Sequence, residues 1–167
     1  MEYLMTYGWA ILVIIIVIAV LFYIGVLNPR NVTPTSCTFP PGLTCSSYKL
    51  YEWNGTGGGV LDLRVGQATG HPVKVLDILC TQSSDAPALS ASGLVNQTTI
   101  PMGEQRWIAG QTSGNEVVCT DSGGNDLEEG TSQLGEFYKG KIWILYNETD
   151  TGMSRTVVGD LAAKFEQ

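Results

Sequence analysis

Residues 1–29 have the sequence MEYLMTYGWAILVIIIVIAVLFYIGVLNP, and this stretch dominates the fold that the sequence predicts. No side chain from Trp9 to Leu27 is charged. At about 1.5 Å per residue, a helix from Met1 to Leu27 is roughly 40 Å long, which exceeds the roughly 30 Å of a bilayer's hydrocarbon core. Pro29 cannot continue a helix and marks its expected end. The stretch therefore predicts one long apolar helix that is able to span a membrane.

The flanks of this helix are unusual for a membrane anchor. Glu2 precedes the apolar run with no Lys or Arg before it, and Arg30 is the first basic residue after it. By the positive-inside rule, these charges place the following domain in the cytoplasm. A secretory signal peptide has a basic start and a shorter apolar region, so it does not match. We hypothesise that a short basic leader set the topology and was then removed.

The four cysteines contradict a cytoplasmic location for the rest of the chain. They form an even set without a CxxC pair or a nearby histidine, which indicates disulfides rather than a zinc site. Disulfides are typical of an oxidising compartment. Four cysteines allow three pairings. The Pro-Gly segment CTFPPGLTC brings its own ends together, and VKVLDILC and NEVVC are strand-like segments that each end in a cysteine. We therefore predict the disulfides Cys37–Cys45 and Cys80–Cys119.

Four Asn-x-Thr sequons also favour an external location. They begin at Asn31, Asn54, Asn96 and Asn147. Each sequon alone is a weak signal, but together with the paired cysteines they predict an extracellular protein with N-linked glycans. We expect sugar on at least two of the four, on the outer surface.

Beyond Pro29 the apolar pattern changes from continuous to alternating. The segments VLDLRV and KIWILYN alternate with period two, and Gly-rich turns separate such segments. The predicted strands are 48–54, 59–67, 73–80, 94–100, 104–109, 115–119, 136–147 and 154–164. This pattern predicts an antiparallel, immunoglobulin-like β-sandwich.

The predicted fold class is therefore α+β, with a long N-terminal apolar helix followed by the sandwich. Residues 1–28 form the membrane or filament-core helix, 29–47 form a linker with the Cys37–Cys45 turn, and 48–167 form the extracellular domain.

The sequence predicts neither an enzyme nor a cofactor site. The net charge of -7 disfavours a nucleic-acid partner, because phosphate binding needs a basic surface. His71 lies in the turn TGHPV without a nucleophile motif near it, and NGTGGGV lacks the Lys-Ser/Thr ending of a phosphate loop. The aromatic segments YKLYEW and KIWILY are more typical of sheet residues than of a sugar-binding platform.

One loop, DSGGNDLEE, has the side chains of a calcium site. Carboxylate and amide oxygens are the ligands that calcium prefers, but their spacing differs from that of an EF-hand. A calcium site and a solvated acidic loop both remain open, and we favour the solvated loop. The candidate ligands are Asp121, Asn125, Asp126, Glu128 and Glu129.

The order of residues in EYLMTYGWAILVI resembles the N-terminal helix of archaeal type IV pilin-like proteins, which carry class III signal peptides. The resemblance covers residues 1–28. In that family a dedicated peptidase removes a basic leader, and the retained helix anchors the subunit in the membrane before it becomes the core of a filament. The family usually shows Gln and small residues before the Glu, whereas only Met1 precedes Glu2 here.

The resemblance implies a pilin, the structural subunit of an extracellular archaeal filament that functions in adhesion. It implies a helical homo-oligomer, held in the cell membrane before assembly, with a leader peptidase, an assembly ATPase and a platform protein as partners. The second hypothesis is a membrane-anchored binding module or minor pilin that does not form the bulk filament. We assign filament assembly to Glu2, Tyr3, Tyr7, Gly8, Trp9, Ile14, Ile18, Phe22 and Gly25.

Glu2 gives the first testable prediction. A carboxylate buried in a filament core is costly unless it is compensated, and a helix N-terminus and a terminal ammonium group both compensate it. We expect Glu2→Ala to leave the protein in the membrane fraction and to reduce the number of filaments that electron microscopy counts after shearing. A normal filament yield from Glu2→Ala would show that this charge does not guide assembly.

Overall fold

A computed structural model describes residues 2–24, 34–52, 59–110, 112–127 and 136–166; for residues 2–6 and 52 it describes only the backbone. The chain divides into two compact units, Met1–Pro34 and Thr35–Gln167.

The first unit contains one helix, α1, from Glu2 to Tyr23. The backbone N–H of Ile24 donates to the carbonyl of Val20 at 2.9 Å and completes the last turn. Gly25 follows in the sequence, and glycine is among the least favourable residues for a helix interior. In the sequence, Gly25 is the second residue after the end of α1.

The predicted helix was too long. It was expected to continue to Leu27, whereas α1 ends at Tyr23 and residues 25–33 lie outside the described part of the chain. Across the ranges that the structure describes, no helix combines the length and the apolar character required to cross a membrane. The predicted transmembrane helix is therefore wrong for these residues.

The second unit is built almost entirely from β-strands. The described residues form nine of them: β1 Ser36–Thr38, β2 Leu43–Glu52, β3 Gly59–Gln67, β4 Val73–Thr81, β5 Thr99–Ile100, β6 Gln105–Ala109, β7 Cys119–Thr120, β8 Phe137–Glu148 and β9 Ser154–Glu166.

These strands form one curved sheet with the order β5-β4-β8-β9-β2-β3-β6. Strand β1 pairs with β9, and β7 pairs with β4. A backbone bridge between Val60 and Val118 joins β3 to the segment that leads into β7. Because β7 in turn pairs in parallel with β4, the sheet curves until its two sides meet. The result is a nearly closed, barrel-like sheet.

The predicted fold class, a long apolar helix followed by an immunoglobulin-like sandwich, is therefore wrong. The protein is mainly β, with one short helix and a barrel-like sheet. Strand β9 explains the difference, because it pairs with β8 over most of its length, with β1 around Leu161 and with β2 at Phe165. Alternating apolar residues occur in both architectures, since both bury one face of every strand.

The barrel interior is filled by apolar side chains from every long strand. Tyr138 and Phe165 meet edge to face with ring centroids 6.5 Å apart, and burial raises the pKa of the Tyr138 hydroxyl. Its phenol donates to the carbonyl of Thr120 at 3.0 Å, so the polar atom of this buried ring has a partner. The largest fully buried aliphatic residues are Leu50, Leu61, Leu63, Ile100, Ile108, Ile142, Ile144 and Leu161.

Both disulfides are present in the pairing that the sequence predicts. Cys37–Cys45 links β1 to β2, and Cys80–Cys119 links β4 to β7 inside the core. The second bridge is almost completely inaccessible, because Cys80 is 1% exposed and Cys119 is 0% exposed. It also lies where β7 pairs with β4, so it reinforces the closure of the barrel.

We expect the two disulfides to contribute unequally to stability. The sequence separations are 39 for Cys80–Cys119 and 8 for Cys37–Cys45. In the chain-entropy model these loops correspond to about 3.9 and about 2.6 kcal/mol. Urea unfolding followed by tryptophan fluorescence should therefore show a larger loss of unfolding free energy for Cys80→Ala/Cys119→Ala than for Cys37→Ala/Cys45→Ala. The reverse order would contradict this assignment.

Candidate functional site

Helix α1 exposes large apolar side chains along its whole described length. Trp9 is 69% exposed, Phe22 is 66% and Tyr23 is 92%. A monomeric protein rarely exposes a contiguous apolar patch larger than a few hundred Å². We call this surface the apolar helix surface, and its members are Tyr7, Trp9, Ile11, Leu12, Val13, Ile14, Ile15, Ile16, Val17, Ile18, Val20, Phe22, Tyr23 and Ile24.

The apolar helix surface extends around the full circumference of α1. Successive helix residues are about 100° apart, so the unbroken apolar run from Ile11 to Ile18 covers every direction. No residue from Tyr7 to Ile24 is charged. A helix that is hydrophobic on all sides is typically one that becomes buried on all sides. The geometry therefore requires a covering layer around α1 rather than a single partner on one face.

The predicted assembly residues lie on α1 as far as the structure describes them. Six of them are on its exposed surface: Tyr7, Gly8, Trp9, Ile14, Ile18 and Phe22. A methyl group added at Gly8 would meet no atom within 4 Å, so nothing within the described chain requires a glycine there. Glu2 and Tyr3 belong to α1, but only their backbone is described, and Gly25 lies outside the described residues.

The sequons fall in different environments. Asn96 is exposed in the connection before β5, and its amide nitrogen lies 3.3 Å from the carbonyl of Ser113. Asn147 lies within β8, where its side chain is half-buried and its Oδ1 is buried without a hydrogen-bond partner among the described residues. Asn31 and Asn54 lie outside the described ranges. Asn96 is therefore the more accessible of the two described acceptors.

The described part of the loop with the candidate calcium ligands, residues 121–127, forms a turn around Asp121. Its Oδ1 accepts hydrogen bonds from the backbone N–H groups of Gly123 at 2.7 Å and Asn125 at 2.9 Å. These bonds lower the pKa of Asp121, and the bond from Asn125 has the largest effect. Within the described ranges, which do not include Glu128 and Glu129, no three or more His, Cys, Asp or Glu residues are grouped so that they could hold a metal.

Four connections between strands meet at one end of the barrel, residues 39–42, 68–72, 101–104 and 149–153. Backbone hydrogen bonds join them: Ala68 N–H donates to Gly42 at 2.8 Å, Gly103 N–H donates to Gln67 at 3.1 Å, and Thr149 N–H donates to Pro72 at 2.9 Å. We call this the four-connection end.

His71 belongs to the four-connection end and forms an ion pair there. Its Nδ1 lies 2.6 Å from Oδ2 of Asp150. The hydrogen bond and the negative charge of Asp150 raise the pKa of His71, and the bond from His71 lowers the pKa of Asp150. His71 is therefore about half exposed and has a partner in a distant connection.

A second ion pair lies next to the first. Arg155 Nε is 2.9 Å from Oε1 of Glu148, and the Thr151 hydroxyl donates to Oε2 of Glu148 at 2.7 Å. Glu148 is 5% exposed, so a buried carboxylate has both oxygens occupied. An open cavity of about 490 Å³ borders both pairs, and its lining includes Pro41, Thr69, His71, Tyr146, Glu148 and Arg155.

Sequence reasoning missed this cavity, although one signal for it exists. Ile142, Ile144 and Tyr146 alternate on the inward face of β8, and Glu148 continues the same phase. A charged residue at a core position indicates a buried acid that needs a partner. Its partners, Arg155 and Thr151, lie across a turn whose geometry the sequence pattern does not reveal.

The His71–Asp150 pair predicts a measurable titration. The raised pKa of His71 stabilises the fold at pH values below the pKa that histidine has in the unfolded chain, and this stabilisation is lost as the pH rises through the pKa in the folded protein. The lowered pKa of Asp150 stabilises the fold at pH values above the pKa of Asp in the unfolded chain, and this stabilisation is lost as the pH falls through the pKa in the folded protein. The pair therefore exists between the lowered pKa of Asp150 and the raised pKa of His71. We expect NMR titration to place His71 above the ordinary histidine value, and Asp150→Asn to bring it back down. Asp85→Asn is the control, and an equal fall in that variant would refute the pairing.

Comparison with known proteins gives no family assignment, since no protein-family model and no curated protein matches this chain.

Proposed function

We propose that this protein is a structural subunit, a pilin, of an archaeal type IV pilus-like extracellular filament, and that it polymerises through α1. The observation that supports this most strongly is the apolar helix surface, which is exposed and uncharged on all sides from Tyr7 to Ile24. The resemblance of EYLMTYGWAILVI to the pilin helix supports it independently.

The energetic argument starts from the cost of leaving this surface in water. Burying one large aliphatic or aromatic side chain is worth about 1.5–3 kcal/mol, so the whole surface represents on the order of 20–40 kcal/mol. The net stability of a typical domain is only about 5–15 kcal/mol. An extracellular form of the protein therefore needs a permanent apolar environment for α1.

Copies of the same helix provide such an environment. A single partner protein covers one face, whereas identical helices packed around a common axis cover each other on every side. Association of apolar helices depends on close packing and on a few polar contacts. Gly8 allows close approach at one level, and Tyr7 and Trp9 add polar groups near it.

The barrel domain is the outer, adhesive part of the filament in this proposal. Its two disulfides suit an oxidising extracellular compartment, and N-linked glycans belong on its outer sequons. A leader peptidase, an assembly ATPase and a platform protein are the partners that the pilin resemblance implies. The protein is not an enzyme in this proposal and needs no cofactor or metal.

A second candidate function is an extracellular binding module, or minor pilin, that is displayed singly. The cavity at the four-connection end favours it, because ligand pockets typically have about 300–1,000 Å³ and a few convergent polar groups. The two candidates differ in whether the chain forms the bulk of a filament.

Charge substitutions on α1 test the proposal. We expect Ile14→Lys and Ile16→Lys, on different faces of the helix, each to lower the filament yield at least about tenfold, because a buried, unpaired lysine costs several kcal/mol. Electron microscopy and quantitative blotting of sheared filaments measure the yield. Val95→Lys is the matched control, since Val95 is an apolar residue of the barrel domain that is 90% exposed.

The filament yield of Val95→Lys should equal that of the unchanged protein. Normal filaments from both helix variants would contradict polymerisation through α1. If the unchanged protein reaches the cell surface but forms no filaments, that result would favour the singly displayed binding module.

A further inference from the structure

Arg155 and His71 border the cavity at the four-connection end, and each contacts an acid through one nitrogen only. Glu148 contacts Arg155 at Nε, and Asp150 contacts His71 at Nδ1. Among the described residues, neither the Arg155 Nη groups nor His71 Nε2 has a hydrogen-bond partner. Both side chains are about half exposed at 54% and 45%, so these outer nitrogens are open to a ligand.

The contacts around Arg155 hold its guanidinium group in one orientation. Glu148 is buried, and a buried carboxylate is costly unless its oxygens are satisfied. Arg155 and Thr151 satisfy both oxygens. Because Glu148 takes Nε, the planar fork of Nη1 and Nη2 remains available, and this fork matches a carboxylate with two parallel hydrogen bonds.

Hydrogen bonds to the backbone carbonyl of His71 hold this residue in place. The side chain of Gln67, which is 3% exposed, donates from Nε2 to the carbonyl of His71 and accepts from the Gly103 N–H at 3.1 Å. Thr69 also contacts the His71 carbonyl at 3.2 Å. Together with the Asp150 contact, these bonds fix both the loop position and the ring of His71.

We propose that this cavity binds a carboxylate-bearing ligand of monosaccharide size, with the carboxylate held by Arg155 and His71. Tyr146 borders the same cavity and supplies a hydroxyl group for the neutral part of the ligand. The volume of about 490 Å³ accommodates a sugar ring and leaves room for water. The inference does not depend on polymerisation, because all of these residues belong to one copy of the barrel domain.

The charges around the site set its pH dependence. His71 faces the carboxylates of Asp150 and Glu148, which favour its protonated form, and the guanidinium of Arg155, which opposes it. Protonated His71 donates from Nε2 and adds a positive charge, whereas neutral His71 bound to Asp150 through Nδ1 offers an acceptor there. Binding of a carboxylate is therefore stronger at pH 5.5 than at pH 8.

The test is a titration of the full chain in detergent micelles with sodium glucuronate, sodium acetate and glucose, followed by NMR or calorimetry. We expect glucuronate to bind in the millimolar range or tighter, and Arg155→Met to weaken it at least about tenfold, as for the loss of a charge-assisted pair. Arg155→Lys should restore only part of the affinity. Arg106→Met is the matched control, since it removes an exposed arginine that pairs with Glu104 outside the cavity lining.

His71→Gln should abolish most of the difference between pH 5.5 and pH 8 and leave the fold intact. Tighter binding of glucuronate than of acetate, lost in Arg155→Met, supports the proposal. Equal binding of the two would overturn the proposal of a monosaccharide-sized ligand, even where Arg155→Met abolishes that binding. Glucose binding as tightly as glucuronate, an equal loss in Arg106→Met, or no binding of either carboxylate would overturn it, whether or not the protein forms filaments.

Discussion

The pairing of β9 on both of its edges is the constraint on which the barrel domain depends. Ser154–Glu166 pairs with β8 on one edge, and with β1 and then β2 on the other. This strand therefore joins the hairpin of β2 and β3 to the sheet around β4 and β8. The buried Cys80–Cys119 bridge and the Val60–Val118 contact close the other side. Closure in turn gathers four connections at one end and creates the cavity there.

The two units of the chain differ in whether they bury their own apolar residues. The barrel domain buries its own apolar residues, satisfies the buried acid Glu148 internally and is stabilised by two disulfides. Helix α1 exposes its apolar residues on every side and contains no charge from Tyr7 to Ile24. The proposed division of labour follows from this contrast: α1 assembles with copies of itself, and the barrel provides the outward surface with its cavity.

The local features of the barrel could be predicted from the sequence, because alternation and cysteine spacing are local signals. The predicted strand 59–67 coincides with β3, and 136–147 differs by one residue at each end from β8, Phe137–Glu148. Barrel closure could not be predicted, since it depends on pairings between distant segments. The predicted strand 94–100 is reduced to Thr99–Ile100. The cavity was missed because Glu148 and Arg155 meet only when β8 and β9 pair around their turn.

The central claim is that copies of α1 cover each other's apolar surface. A helical reconstruction by cryo-electron microscopy of filaments sheared from cells measures this most directly. The account predicts α1 helices packed around the filament axis, with the side chains from Tyr7 to Tyr23 buried between copies and the barrel domains on the outside. Filaments held together by barrel domains alone, with α1 facing solvent or absent from the contacts, would contradict it.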